Sequence, residues 1–179
     1  DIIMLSMSGF GRTGPWKDRV SYGQTLQAWS GFTDLTGFPD TKPSGPASAY
    51  SDAVGGMAGA QAVLLALIQR ARTGKGQWID VSQMESMSAL LGPLALELSA
   101  IKTDVQRTGN RLHQGGGAPH GAYPCLGEDR WLAITVFNDD EWDAFAGAIG
   151  SPPWASEERF ASAESRLRHA DDLDKLVES

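Results

Sequence analysis

Residues 51–82 read SDAVGGMAGAQAVLLALIQRARTGKGQWIDVS, and this stretch decides the fold class. Met57, Ala60, Val63, Leu64, Leu67 and Ile68 recur at three- and four-residue steps, so Ala53 to Arg72 predicts one long helix with an apolar face. Its small residues Gly55, Gly56, Ala58, Gly59 and Ala60 allow a second backbone to pack very closely. Gly74-Lys75-Gly76 ends the helix, and Gln77 to Val81 has the alternation and β-branched content of a strand.

Upstream, Asp1 to Ser8 is a short apolar run that delivers a buried strand into the loop Gly9-Phe10-Gly11. Gln24 to Phe32 predicts a short helix, and Thr36 to Pro46 is rich in turn formers. Downstream, a further helix starts at Ser82 or Gln83 and runs to about Leu98. Strand, helix, helix, strand, helix reads as α/β with a parallel sheet. Residues 102–120 are polar and rich in glycine, and a second character begins near Gly121. There Ala122–Cys125 and Trp131–Val136 read as two strands joined at Gly127-Glu128-Asp129, with Cys125 a buried small hydrophobe. Asp139–Ile149 reads as an amphipathic helix with Trp142, Phe145 and Ile149 inward, and short helical segments follow from Ser156 and from Asp171.

Composition narrows the function classes. The 179 residues are 41% hydrophobic and 21% charged, enough for one sizeable core. A net charge of −7 argues against a nucleic-acid partner, which asks for a basic face. No uninterrupted apolar run reaches the ~18 residues of a bilayer span, so no membrane partner is expected. A single cysteine excludes an intrachain disulfide framework and is the usage expected of a cytoplasmic protein. Asp1 opens directly into Ile2-Ile3-Met4-Leu5, and the chain stops within a helical pattern; it reads as a piece of something longer.

Among residues that could carry chemistry, Asp52 stands at the start of the long helix. Asp is a favoured N-cap, and a carboxylate there also sits in the positive end of the helix dipole. The two roles are compatible: a carboxylate needs no base to act as a covalent nucleophile, and Gly55-Gly56-Met57 leaves room for a bulky ligand. Gly9-Phe10-Gly11 is either a structural turn or a place where backbone N–H groups approach a ligand. Gly115-Gly116-Gly117 is either an interdomain linker or a mobile flap. His113, His120 and Cys125 match no zinc spacing, and no metal site is expected. No Ser-His-Asp order or nucleophile elbow is present.

Five blocks taken together carry a resemblance. They are Ser6-Met7-Ser8-Gly9-Phe10-Gly11-Arg12-Thr13-Gly14-Pro15; Ala28-Trp29-Ser30-Gly31 with Thr36-Gly37; Asp52-Ala53-Val54-Gly55-Gly56-Met57; Arg72 to Ser82; and Gly109-Asn110-Arg111 leading through Ala118–Tyr123 to Trp131–Ile134. In this order they resemble the family III CoA-transferases, the group of formyl-CoA transferase and carnitine CoA-transferase, whose fold alpha-methylacyl-CoA racemase shares. The resemblance implies part of a large Rossmann-like parallel-sheet domain (residues 1–101), a glycine-rich linker or flap (102–120) and an incomplete small α+β domain (121–179), in a family of interlocked homodimers. It also implies that this central piece is inactive alone. The family's catalytic aspartate falls on Asp52. Ser8, Gly9, Phe10 and Gly11 fall on the loop lining the pantetheine end of the CoA site. Gly115, Gly116 and Gly117 fall on the glycine loop that covers acyl-enzyme intermediates.

The implied activity is transfer of coenzyme A from an acyl-CoA to an acceptor carboxylic acid through an aspartyl intermediate, with acyl-CoA as substrate and no permanently bound cofactor. Two alternatives stay beside it. A racemase of this fold needs a histidine where Tyr22 stands, and a phenol is a poor base for that work. A non-catalytic subunit of a CoA-transferase assembly would keep the architecture without the chemistry.

Overall fold

In the computed structural model β1 (Ile3–Ser8) pairs in parallel with β2 (Gln77–Ser82), with Ser8 opposite Ser82 where both strands end. Parallel neighbours need a long crossover, and α1 (Gly23–Trp29) and α2 (Tyr50–Thr73) supply it. The structure describes residues 1–102, 105–112 and 115–179, so His113 lies outside the described residues. The chain divides into two units, Asp1–Arg107 and Thr108–Ser179.

In the first unit α2 meets the sheet through its smallest residues. A Cβ on Gly59 would stand 3.1 Å from Leu5 Cδ2, and one on Gly55 would stand 2.7 Å from Gln83 Cγ. The buried positions of α2 are Ser51, Val54, Gly55, Gly59 and Ala66. This is a different face from the one the apolar periodicity picks out. Met57, Leu64 and Ile68 are more than half exposed, because the small residues permit the closer approach and leave the larger ones on the outer side. As a helix, rather than as an uninterrupted apolar run, α2 does reach the length and composition of a membrane span. That corrects the expectation from run length; in the structure its small-residue face is packed on β1 and α3.

Two helix boundaries also differ from expectation. α2 begins at Tyr50 with Ala49 at the N-cap, so Asp52 is its third residue and not its cap. The helix expected to continue to about Leu98 is two: α3 (Gln83–Leu90) and α4 (Gly92–Ile101), broken at Leu91. Pro93 has no N–H to give, and its ring excludes the carbonyl four residues back, so it is tolerated only in the first turn of a new helix. Ser82 ends β2 and caps α3, its Oγ accepting the Glu85 N–H at 3.2 Å. Arg107 closes this unit: its guanidinium donates to the carbonyls of Asp34 (2.8 Å), Thr41 (3.2 Å) and Phe38 (3.3 Å), pinning the turn-rich segment.

In the second unit β3 (His120–Pro124) and β4 (Trp131–Thr135) form an antiparallel hairpin with Tyr123 opposite Leu132. It is followed by α5 (Asp139–Ala148), two short 3₁₀ turns, α6 (Ala163–Arg168) and α7 (Ala170–Val177). The core gathers Ala118, Val136, Trp142, Ala155, Phe160, Ala170 and Leu173. Trp142 is buried and Phe145 packs beside it, but Ile149, expected inward, is exposed past the end of α5. Cys125 is exposed as well, one residue beyond β3 at the mouth of the turn, where its N–H still donates to Arg130 O at 2.8 Å.

Arg166 is wholly buried in this core. It donates to the carbonyls of Phe160 (3.0 Å) and Asn138 (3.1 Å) and to Asp139 Oδ1 (2.8 Å), with its guanidinium 4.9 Å from the Trp142 ring centre. One side chain thus ties α6 and the 3₁₀ turn ending at Phe160 to the start of α5. Arg166→Ala would leave two carbonyls without their donor and empty a packed volume. Urea unfolding should report a loss of about 3 kcal/mol.

Candidate functional site

The start of α2 is built from outside the helix. Ala49 has no side chain that can cap, and the missing acceptor comes from α1. Gln27 is 1% exposed. Its Oε1 accepts the Tyr50 N–H at 2.7 Å, a hydrogen that Ser48 O shares at 2.9 Å, and its Nε2 donates to Pro46 O at 3.4 Å. One residue on, the Ser51 hydroxyl donates to Gly23 O at 3.1 Å. A Cβ on Gly23 would overlap the Cβ of Ala49, so glycine is required where α1 begins. The Tyr50 ring stacks on Phe32 at 5.5 Å.

These contacts hold Asp52 in the first turn of α2, its N–H bonded to Ala49 O at 3.0 Å. The side chain is exposed, and among the described residues no hydrogen bond or ion pair engages it. The dipole at this end favours a carboxylate. The two glycines that follow do different things. A Cβ on Gly56, one helical turn from Asp52 on the same face, would meet nothing within 4 Å; at Gly55 the space is already filled by Gln83.

The loop after β1 is tied to the same elements. Gly9 O accepts from Met84 N (2.9 Å) and from the Ser82 hydroxyl (3.3 Å), where α3 starts. A Cβ on Gly9 would overlap the Ser21 side chain and stand 3.4 Å from Leu26 Cδ2 of α1. Gly11 has φ +79°, a left-handed conformation that favours glycine. The next N–H, of Arg12, is taken by Asp80 Oδ2 at 2.8 Å. Phe10 is buried edge-on against Trp16 (5.6 Å) and Trp29 (6.1 Å), and Arg19 lies 5.3 Å over the Trp16 ring. Ser8 Oγ is buried without a partner among the described residues. The first unit therefore brings Ser8, Gly9, Phe10, Gly11 and Asp52 to elements that share α1 and the C-terminal ends of β1 and β2. Ligands of open parallel sheets bind at such strand ends.

Gly115, Gly116 and Gly117 belong to the second unit. Gly115 has φ +51° in open space, a Cβ on Gly116 would stand 3.3 Å from Leu112 Cβ, and one on Gly117 would overlap the Val136 carbonyl. A cavity of about 80 Å³ adjoins Gly116 and Gly117, lined in part by Arg111, His120 and Asp174. Arg111 Nη2 reaches Asp171 (2.5 Å) and Asp174 (2.9 Å), and the Tyr123 hydroxyl donates to Asp174 at 2.6 Å. Burial, and then this hydrogen bond, push the Tyr123 phenol above its ordinary value. Among the described residues no group of three or more His, Cys, Asp or Glu side chains is placed to hold a metal ion.

The model of CoA-transferase family III matches residues 1–179. The chain belongs to CoA-transferase family III. It is 34% identical over 176 residues to the succinyl-CoA–D-citramalate CoA-transferase of Chloroflexus aurantiacus, covering 98% of this chain and 43% of that protein. It is 34% identical over 178 residues to the acetyl-CoA:oxalate CoA-transferase of Acetobacter aceti, covering 99% and 45%. A crystal structure of a CaiB/BaiF family protein from Brucella suis superimposes with a TM-score of 0.89 at 34% identity, covering 99% of this chain and 46% of that one. This family III chain therefore spans under half the length of the relatives it matches.

Sequence reasoning missed Gln27, Asp80 and Gln83. Asp80 left a signal, a carboxylate in the otherwise apolar strand around Trp78, Ile79 and Val81. Gln27 left none, because its partner is 23 residues away. The glycine pair offers a direct check. Gly56→Ala should raise stability by about 0.5–1 kcal/mol through helix propensity. Gly55→Ala should lose that gain and fall at least about 1 kcal/mol below wild type through overpacking on Gln83. Urea midpoints of the two variants measure both.

Proposed function

We propose that the protein to which this chain belongs moves coenzyme A from an acyl-CoA thioester to an acceptor carboxylic acid through a covalent intermediate on Asp52, working as an interlocked homodimer. The observation that carries this reading is the exposed carboxylate of Asp52 in the first turn of α2, engaged by no hydrogen bond or ion pair among the described residues, on a helix whose Gly55 packs on Gln83 just past the end of β2. Membership of family III and the activities named for the relatives support it.

In this reading an oxygen of Asp52 attacks the thioester carbonyl, the C–S bond breaks, and an acyl–aspartyl anhydride and CoA thiolate result. The thiolate attacks the aspartyl carbonyl, giving an aspartyl–CoA thioester and releasing the donor acid. The acceptor carboxylate attacks that thioester, expelling thiolate and forming a second anhydride. Thiolate then attacks the acceptor's carbonyl, leaving acceptor-CoA and a free Asp52. No net proton moves.

The chain's own groups have three tasks. The positive end of the α2 dipole stabilises the oxyanion of each addition. The Ser8–Gly11 loop lines the pantetheine arm, with Phe10 as its buried anchor. Gly115, Gly116 and Gly117 take the flap role that the family resemblance implies, the exclusion of water from acyl intermediates.

The test uses the full-length gene product with succinyl-CoA and acetyl-CoA as donors and a panel of mono- and dicarboxylic acids. Asp52→Ala and Asp52→Asn should lower kcat by about 10³-fold or more, as loss of a covalent nucleophile does. Transfer within tenfold of wild type in either variant would overturn the assignment. Deuterium exchange at the α-carbon of a 2-methylacyl-CoA, with no transfer to any acid, would put the racemase in its place.

A further inference from the structure

We infer that Gln27 is a positioning residue for the reaction at Asp52: its buried carboxamide on α1, the helix that also packs under the Gly9–Gly11 loop, sets where the first turn of α2 stands. The inference rests on Asp52 being the nucleophile and assigns Gln27 a role in delivering it.

Three observations converge on this side chain. First, Gln27 is 1% exposed, and an amide is buried only where both its groups are bonded. Both are: Oε1 holds the Tyr50 N–H at 2.7 Å and Nε2 holds Pro46 O at 3.4 Å. The two partners bracket the residues that lead into α2, so one planar group fixes both the incoming chain and the first helical residue. Second, α2 has no cap of its own. Ala49 offers no side-chain acceptor, and among the described residues the one other acceptor on the Tyr50 N–H is Ser48 O, two residues back. The orientation of the first turn therefore depends on an acceptor carried by another helix. Third, α1 touches the opposite wall as well. Leu26, the neighbour of Gln27, is 1% exposed, and its Cδ2 would stand 3.4 Å from a Cβ on Gly9. One helix thus gauges the spacing between the glycine loop and Asp52, which follows Tyr50 by two residues.

The consequence is kinetic. A nucleophile displaced by about 1 Å loses on the order of 10²-fold in rate while its substrate still binds. A residue that only filled the core would lower stability and leave the chemistry of the folded molecules unchanged.

The experiment uses the full-length gene product and the acyl-CoA that wild type turns over, from a panel headed by succinyl-CoA and acetyl-CoA. Adduct formation at Asp52 is followed in a single turnover, quenched with hydroxylamine and read by peptide mass spectrometry. In Gln27→Met, which keeps the volume and removes both hydrogen-bonding groups, the maximal rate of adduct formation should fall about 10- to 100-fold. The acyl-CoA concentration for half-saturation should stay within about twofold. Gln27→Asn, whose shorter side chain withdraws the acceptor without inserting an apolar group, should behave as Gln27→Met does and carries the test if the latter does not fold. Thermal unfolding at the assay pH gives the folded fraction by which each rate is corrected.

Three results would overturn the inference: a wild-type rate in Gln27→Met and Gln27→Asn, a loss that vanishes on correction for folded fraction, or a loss confined to half-saturation. Asp52→Ala is run beside them. An adduct still formed by that variant removes the reading of Asp52 itself, and the role of Gln27 with it. A dead Asp52→Ala beside a fully active Gln27→Met removes only the role of Gln27.

Discussion

The contact between the small-residue face of α2 and the sheet is the constraint on which the first unit depends. Gly55 and Gly59 let α2 lie so close that a single added Cβ would press on Gln83 or Leu5. Because β1 and β2 run in parallel and in register from Ile3↔Gln77 to Ser8↔Ser82, both release their chains at one end. The first turn of α2 is brought toward that end by Gln83, which follows β2 and rests on Gly55. A bulkier face would push the helix outward and carry Asp52 away from the loop that follows β1. The glycines that look like entropic cost in a helix interior are therefore what allows the site to exist.

That seam also explains how the site can be open and yet well determined. Asp52 itself is held by no side chain among the described residues, as the proposed nucleophilic role requires. Its neighbours are held firmly: Ser51 by the Gly23 carbonyl, Tyr50 by Gln27, Gly9 by Ser82 and Met84. Among the described residues, the bonds are made by the neighbours of Asp52 and none by its carboxylate. The second unit has its own organisation around Arg166 and Trp142, and its three consecutive glycines have three different reasons to lack side chains.

How much of this was legible in the sequence depends on how local the cause is. β1, β2 and the length of α2 follow from periodicity and from Gly74, whose φ of +69° closes the helix as its place in the pattern suggests. The break at Leu91 was also written locally, in Pro93, but the apolar rhythm of Leu90, Leu91 and Leu94 overrode it. The buried face of α2 was misjudged because periodicity identifies apolar residues, whereas close approach selects small ones. The start of α2 was misplaced because its acceptor lies on α1, and no local rule sees across 23 residues. Asp52 is legible as a residue at a helix start; local pattern favours a cap and leaves a nucleophile compatible with it, and the resemblance assigns it the catalytic role. Cys125 and Ile149 were placed inward on pattern, and both sit just beyond the ends of the elements that would have buried them.

The claim at the centre of this account is that Asp52 carries the acyl group and the CoA in turn. If it does, each turnover must leave one oxygen of the acceptor acid on the Asp52 carboxylate, because the second anhydride is opened at the acceptor's carbonyl. The most direct measurement is to run the full-length gene product with succinyl-CoA or acetyl-CoA and an acceptor acid labelled with ¹⁸O in its carboxyl group, then weigh the peptide containing Asp52. The account predicts a gain of ¹⁸O in that peptide, localised to Asp52 by fragmentation and absent when the donor is omitted. Turnover that transfers CoA to the labelled acid while Asp52 stays unlabelled would contradict it.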